Sequence, residues 1–197
     1  MLVGLVVGVG LAIFRDQLSS SLSKLSQRNI IDAESLAYSR THFERLVRQD
    51  IANHPESVLT VGLIQLSGIE EYYDSLPQAY INQIMRKVNE TMKYQLRGND
   101  VVGRWSQLQF SVFLPSTDGL SAKRRMARIS EVLGQTFSLD ANGEFDVKLD
   151  PRIGLADRQN GEFIPVLMSR AEEALGVSLQ SSEEKVCLFK IQPFGLS

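Results

Sequence analysis

Two residues three apart, Arg97 and Asp100, carry the most specific chemistry legible in this chain. An arginine fork can donate two parallel hydrogen bonds to a planar acceptor edge or clamp a phosphate, and a neighbouring carboxylate can accept from N–H donors. The same spacing also arises readily by chance, and Arg97 and Asp100 would then form a helix-end salt bridge of small energetic weight. Further along, Lys123, Arg124, Arg125 and Arg128 form a dense basic run, which by default reads as a solvated helix face. Between these features, Val101–Trp105 and Gln109–Leu114 are strand-like runs around a tight polar link, the pattern of a β-hairpin, closed by Pro115.

The elements that position these residues follow from hydrophobic periodicity. Ser35–Ile51 reads as a helix with Leu36, Phe43 and Val47 on one side, stopped at Asn53-His54-Pro55. Ser57–Leu66, β-branched and leucine-rich, suits a central strand with Gly68 at its exit. Pro77 opens a helix that turns Ile81, Ile84, Met85, Val88 and Met92 inward. Ser121–Thr136 and Phe163–Val177 are further helices. Phe145–Ala156 reads as strands interrupted near Pro151, and Lys185–Ile191 as the last strand. Helices and strands alternate without an internal repeat, which predicts an α/β fold with helices covering a mixed sheet.

The chain has the composition of one globular unit, with a formal charge of −2 and basic residues spread along its length. That distribution excludes the electrostatic stripe required by a nucleic-acid polymer. One cysteine and two histidines cannot build a disulfide or a soft-ligand metal cluster, and Cys187, inside Val186-Cys187-Leu188-Phe189, reads as a core thiol. Residues Met1–Phe14 are uncharged and almost wholly apolar. Shorter than the about 20 residues that span a bilayer, and followed by Arg15, Lys24 and Arg28, they are expected to be a membrane segment or anchor with the remainder on the cytoplasmic side, the alternative being a buried helix of a soluble protein. A connector helix follows over 15–34, the main domain over 35–191 and a short tail over 192–197.

The hairpin and its surroundings resemble the GGDEF, or diguanylate cyclase, family. In that family an Arg-x-x-Asp motif precedes an Arg-aromatic-Gly-Gly-Asp/Glu-Glu-Phe hairpin. Arg97, Asp100, Arg104, Trp105 and Phe110 keep this frame, while Ser106, Gln107, Leu108 and Gln109 occupy the signature positions. Asp32, Ser35, Arg40 and Phe43 match the family's first motif. Arg152-Ile153-Gly154-Leu155-Ala156 and Ala171-Glu172-Glu173-Ala174-Leu175 match two later ones. Other positions depart from the pattern: Gln65 replaces an aspartate, Tyr73 and Asn82 replace the guanine-reading pair, and Leu179 and Glu183 replace phosphate-binding cations.

The resemblance implies a GGDEF-like, or nucleotide cyclase-like, mixed sheet flanked by helices, preceded by the apolar segment and connector. It also implies that Arg97 and Asp100 match a site for cyclic di-GMP, with Arg128 matching a second arginine to the same ligand and Arg104 supporting the hairpin. Joining two GTP molecules needs divalent ions held by carboxylates. With Gln65, Leu108 and Gln109 at those positions, the expectation is a degenerate domain with no metal, no cofactor and no enzymatic activity. It would act as a receptor for cyclic di-GMP at the cytoplasmic membrane. The alternative is a ligand-free scaffold that dimerises or recruits a protein partner.

Overall fold

The structure, a computed structural model, describes residues 30–139 and 145–190. The expected membrane segment, most of the connector and the tail lie outside the described residues. Within them, no helix is long and apolar enough to cross a membrane.

The chain runs β1 (Tyr38–Ser39), α1 (Arg40–Asn53), β2 (Leu59–Ser67), α2 (Glu70–Ser75), α3 (Gln78–Gln95), β3 (Val101–Ser106), β4 (Gln109–Pro115) and α4 (Gly119–Leu133). It continues through β5 (Phe137–Ser138), β6 (Asp146–Val147), β7 (Asp150–Asp157), α5 (Ile164–Gln180) and β8 (Val186–Leu188). Six strands form one mixed sheet in the order β1-β3-β4-β2-β7-β8, and β5 pairs with β6 apart from it. Strand β2 lies between β4 and β7, antiparallel to both, while the outer pairs β1–β3 and β7–β8 are parallel. This is the expected α/β architecture.

Alternation along the strands divides the core between the two faces of the sheet. Leu59, Val61 and Leu63 of β2 join Phe43 and Val47 of α1 and Leu167, Ala171 and Leu175 of α5. Ile64 and Leu66 join Ile81, Met85 and Val88 of α3 and Met126 and Ile129 of α4 on the opposite face. Gly154 sits where α5 lies directly on the sheet, and an added Cβ there would collide with the Leu175 amide and the Ala171 carbonyl. Cys187 is buried and free, and burial pushes its thiol pKa up, consistent with a core role.

Two expectations of the sequence reading change. The helix expected from Ser35 starts at Arg40, and Leu36, expected to face inward, is 46% exposed with φ +57°. Asp32 explains the delay: its Oδ1 accepts from both the amide and the hydroxyl of Ser35, and its carbonyl accepts from the Leu36 amide. That turn absorbs the backbone groups a helix would have used, and Ser39 caps α1 through the His42 amide. The strand break expected at Pro151 falls earlier, because Pro151 sits near the start of β7 opposite Leu66, where a missing amide is tolerated.

Gly154→Ala should therefore destabilise the domain by about 2 kcal/mol or more, the cost of overpacking a rigid contact. Urea denaturation of the two proteins measures this, and an unchanged midpoint would mean that α5 can lift from the sheet without penalty.

Candidate functional site

Asp100 lies in the loop between α3 and β3 with its side chain 1% exposed. Its Oδ2 accepts from the Arg97 backbone amide at 2.8 Å and from Arg125 Nη1 at 2.7 Å. The Asp100 amide in turn donates to the Arg97 carbonyl at 3.0 Å. Helix α3 ends as the Leu96 amide bonds the Met92 carbonyl, which leaves the next amide, that of Arg97, in need of the acceptor Asp100 supplies.

The two motif residues therefore meet through the Arg97 backbone, and the guanidinium paired with Asp100 belongs to Arg125. The side chains of Arg97 and Arg128 are exposed and have no hydrogen-bond or ion-pair partner among the described residues. Asp100 Oδ1 is buried with no partner. The loop and α4 thus present one cation each, unpartnered among the described residues, beside the Asp100–Arg125 ion pair.

Sequence reasoning missed Arg125, treating the basic run as a single surface. The signal was available in the helix period: Ala122, Met126 and Ile129 are buried, which places Arg125 at the rim of that face. The rest of the run divides differently, with Lys123 paired to Glu184 and Arg124 Nε bonded to the Leu120 carbonyl.

Arg104 does anchor the hairpin, from a buried position 7% exposed. Its Nη1 meets Met85 Sδ at 3.0 Å, and its Nη2 donates to Tyr73 Oη at 3.2 Å, to Glu34 Oε2 at 3.4 Å and to the Gln107 carbonyl. Asp32 Oδ1 lies 4.0 Å from Nε. Tyr73 donates to the same Gln107 carbonyl at 3.1 Å, and burial pushes its phenol pKa up. Trp105 packs against the α1 and α5 side of the core, with Phe43 edge-on and the Arg40 guanidinium 3.9 Å from its ring centre.

At the hairpin, Gln65 of β2 stands opposite Gln109, the Leu66 amide bonds the Leu108 carbonyl at 3.0 Å, and Ser106 Oγ bonds Gln109 Oε1 at 3.2 Å. Two carboxamides and an aliphatic side chain suit a hard divalent cation poorly. No cluster of three acidic, histidine or cysteine ligands forms among the described residues. No step through a metal is derived from this donor set.

The family profile described as "Diguanylate cyclase, GGDEF domain" matches residues 29–185. The chain belongs to the GGDEF family. This GGDEF domain is 27% identical over 139 residues to the diguanylate cyclase DosC of Escherichia coli K12, an alignment covering 71% of the chain and 30% of DosC. The chain thus matches under a third of the length of that curated relative. Among solved structures it is similar to the coiled coil and GGDEF domain of DgcB from Caulobacter crescentus in complex with c-di-GMP. That match has a TM-score of 0.80 at 15% identity over 91% of this chain and 96% of the other. It is also similar to the diguanylate cyclase SiaD of Pseudomonas aeruginosa in complex with its activator SiaC, with a TM-score of 0.74 at 16% identity over 91% and 70% of the two chains.

The comparisons correct one expectation of the sequence reading. The absence of an enzyme, argued from Gln65, Leu108 and Gln109, is overturned by the family match and the alignment with DosC, which both point to a diguanylate cyclase.

Removing Arg125 leaves a buried carboxylate without its cation, so Arg125→Ala should cost about 3 kcal/mol of stability. In a double-mutant cycle with Asp100→Asn, a coupling of about 1 kcal/mol or more in urea denaturation would establish the pair. Strictly additive losses would mean that the two side chains do not stabilise each other.

Proposed function

We propose that this GGDEF domain serves in cyclic di-GMP signalling and binds cyclic di-GMP on the surface formed by the Arg97–Asp100 loop and the adjoining turn of α4. The observation that carries the reading is the pair of exposed guanidiniums, Arg97 and Arg128, without a partner among the described residues and beside a carboxylate held by Arg125. A guanidinium fork matches a phosphate or the O6/N7 edge of guanine. The ligand is the one held by the DgcB relative. In this reading Asp100 and Arg125 form the frame, Arg97 and Arg128 grip the ligand, and Arg104 keeps the neighbouring hairpin in place without touching it.

The wider setting belongs to the same proposal. The apolar segment Met1–Phe14 tethers the domain to the cytoplasmic membrane, and ligand capture alters how the domain meets a protein partner or a second copy of itself. Binding and association would then be thermodynamically coupled, each strengthening the other.

Calorimetric titration of the purified protein with cyclic di-GMP tests the reading. A charge-assisted hydrogen bond contributes about 1.5–3 kcal/mol, so Arg97→Ala and Arg128→Ala should each weaken binding by about tenfold or more while the protein stays folded. Absence of heat at high micromolar ligand would remove the receptor reading and leave the ligand-free scaffold. Incubating the same preparation with GTP and magnesium, with product separated by chromatography, tests whether the turnover of the diguanylate cyclase relatives extends to this chain.

A further inference from the structure

Helices α3 and α4 run antiparallel along the seam that ends at the Asp100 loop. At one end Lys87, Val88 and Thr91 share a small cleft with Val132 and Leu133. At the other end Arg125 reaches Asp100, five residues past the end of α3. With equal rise per residue in both helices, Tyr94 stands level with Arg128.

The two residues also occupy facing rows. Lys87, Thr91 and Tyr94 follow the i, i+4, i+7 stripe of α3, and Arg125, Arg128 and Val132 the i, i+3, i+7 stripe of α4. Lys87, Thr91 and Val132 line the cleft, while Arg125 meets the Asp100 loop from the same row. Tyr94 is thus set across the seam from Arg128 and one turn before Arg97.

Tyr94 is 88% exposed, more than any other large hydrophobic residue of the described chain. A single exposed aromatic means little by itself. Here neither a ring nor a guanidinium covers Tyr94 among the described residues, and helix phase and rise set it between two cations that have no partners there either. An uncovered π face flanked by guanidiniums is the arrangement that holds a purine base by stacking while its phosphates meet the cations.

We infer that Tyr94 forms the stacking wall of the Arg97 and Arg128 site and gives it a preference for an anionic purine nucleotide over a bare phosphate. The inference rests on the proposed ligand surface and adds the residue that reads the base. Arg97 and Arg128 supply charge recognition, and Tyr94 supplies the apolar plane, so one ring of a cyclic dinucleotide lies on the phenol face.

Titrations of the full chain with cyclic di-GMP and with inorganic pyrophosphate test this. Stacking on an aromatic side chain is a tenfold-scale effect, so Tyr94→Ala should weaken cyclic di-GMP binding by about tenfold, whereas Tyr94→Phe should stay within about twofold. Pyrophosphate binding should respond to neither. Because Tyr94 is solvent-exposed, these variants should unfold at the wild-type midpoint. In proton NMR the guanine H8 resonance should move upfield on binding to the wild type through the ring current, and that movement should vanish in Tyr94→Ala. If the wild type binds and Tyr94→Ala binds equally well with the same H8 shift, the stacking inference is overturned while the ligand surface stands. If the wild type does not bind cyclic di-GMP, both fall together.

Discussion

The ion pair between Asp100 and Arg125 holds the proposed ligand surface together. A carboxylate 1% exposed loses its hydration on folding, and only excellent local partners offset that loss. Asp100 has them on one oxygen, which receives a backbone amide and a guanidinium. It lacks them on the other, which is buried and unfilled. Leaving one acceptor unpaired costs stability, and the fold bears that cost where the loop meets two cations with no partner among the described residues. Without Arg125 the loop would lose its tie to α4, and Arg97 would lose its set position beside that helix.

A second polar cluster secures the other side of the hairpin. Arg104 gathers Glu34 and Asp32 from the turn that precedes β1, Tyr73 from α2, Met85 from α3 and the Gln107 carbonyl. These groups come from four separate parts of the chain, so the cluster couples the position of the N-terminal turn to that of the hairpin. Its work is internal, since Arg104 is buried among its partners and presents little to solvent. Arg97, just before β3, and Arg104, within it, therefore have opposite fates, with Arg104 absorbed into the fold and Arg97 left outside it.

Much of the fold was legible in the sequence because burial follows periodicity. Ile81, Ile84, Met85, Val88 and Met92 were expected to face inward and do, and the hairpin, α1, α4 and α5 lie within a few residues of their expected bounds. The misread positions were those where a local hydrogen bond outweighs periodicity. Asp32 traps Ser35 and Leu36 in a turn despite the apolar character of Leu36. At the site, the Arg97 and Asp100 motif was visible but its third member was not, because Arg125 comes from a distant helix and looks like its neighbours in a basic run. The missing carboxylates at Gln65, Leu108 and Gln109 were read as the end of catalysis. The match of residues 29–185 to the diguanylate cyclase family, with the alignment to DosC, overrode that reading, which rested on a few positions alone.

The most direct measurement of the central claim is the NMR response of arginine side chains and backbone amides to added cyclic di-GMP. The account predicts that the Nε–Hε signals of Arg97 and Arg128 and the amides of the Asp100 loop shift first, while those of Arg104 and the Gln107–Gln109 link stay in place. Shifts confined to the hairpin, with Arg97 and Arg128 unmoved, would contradict it.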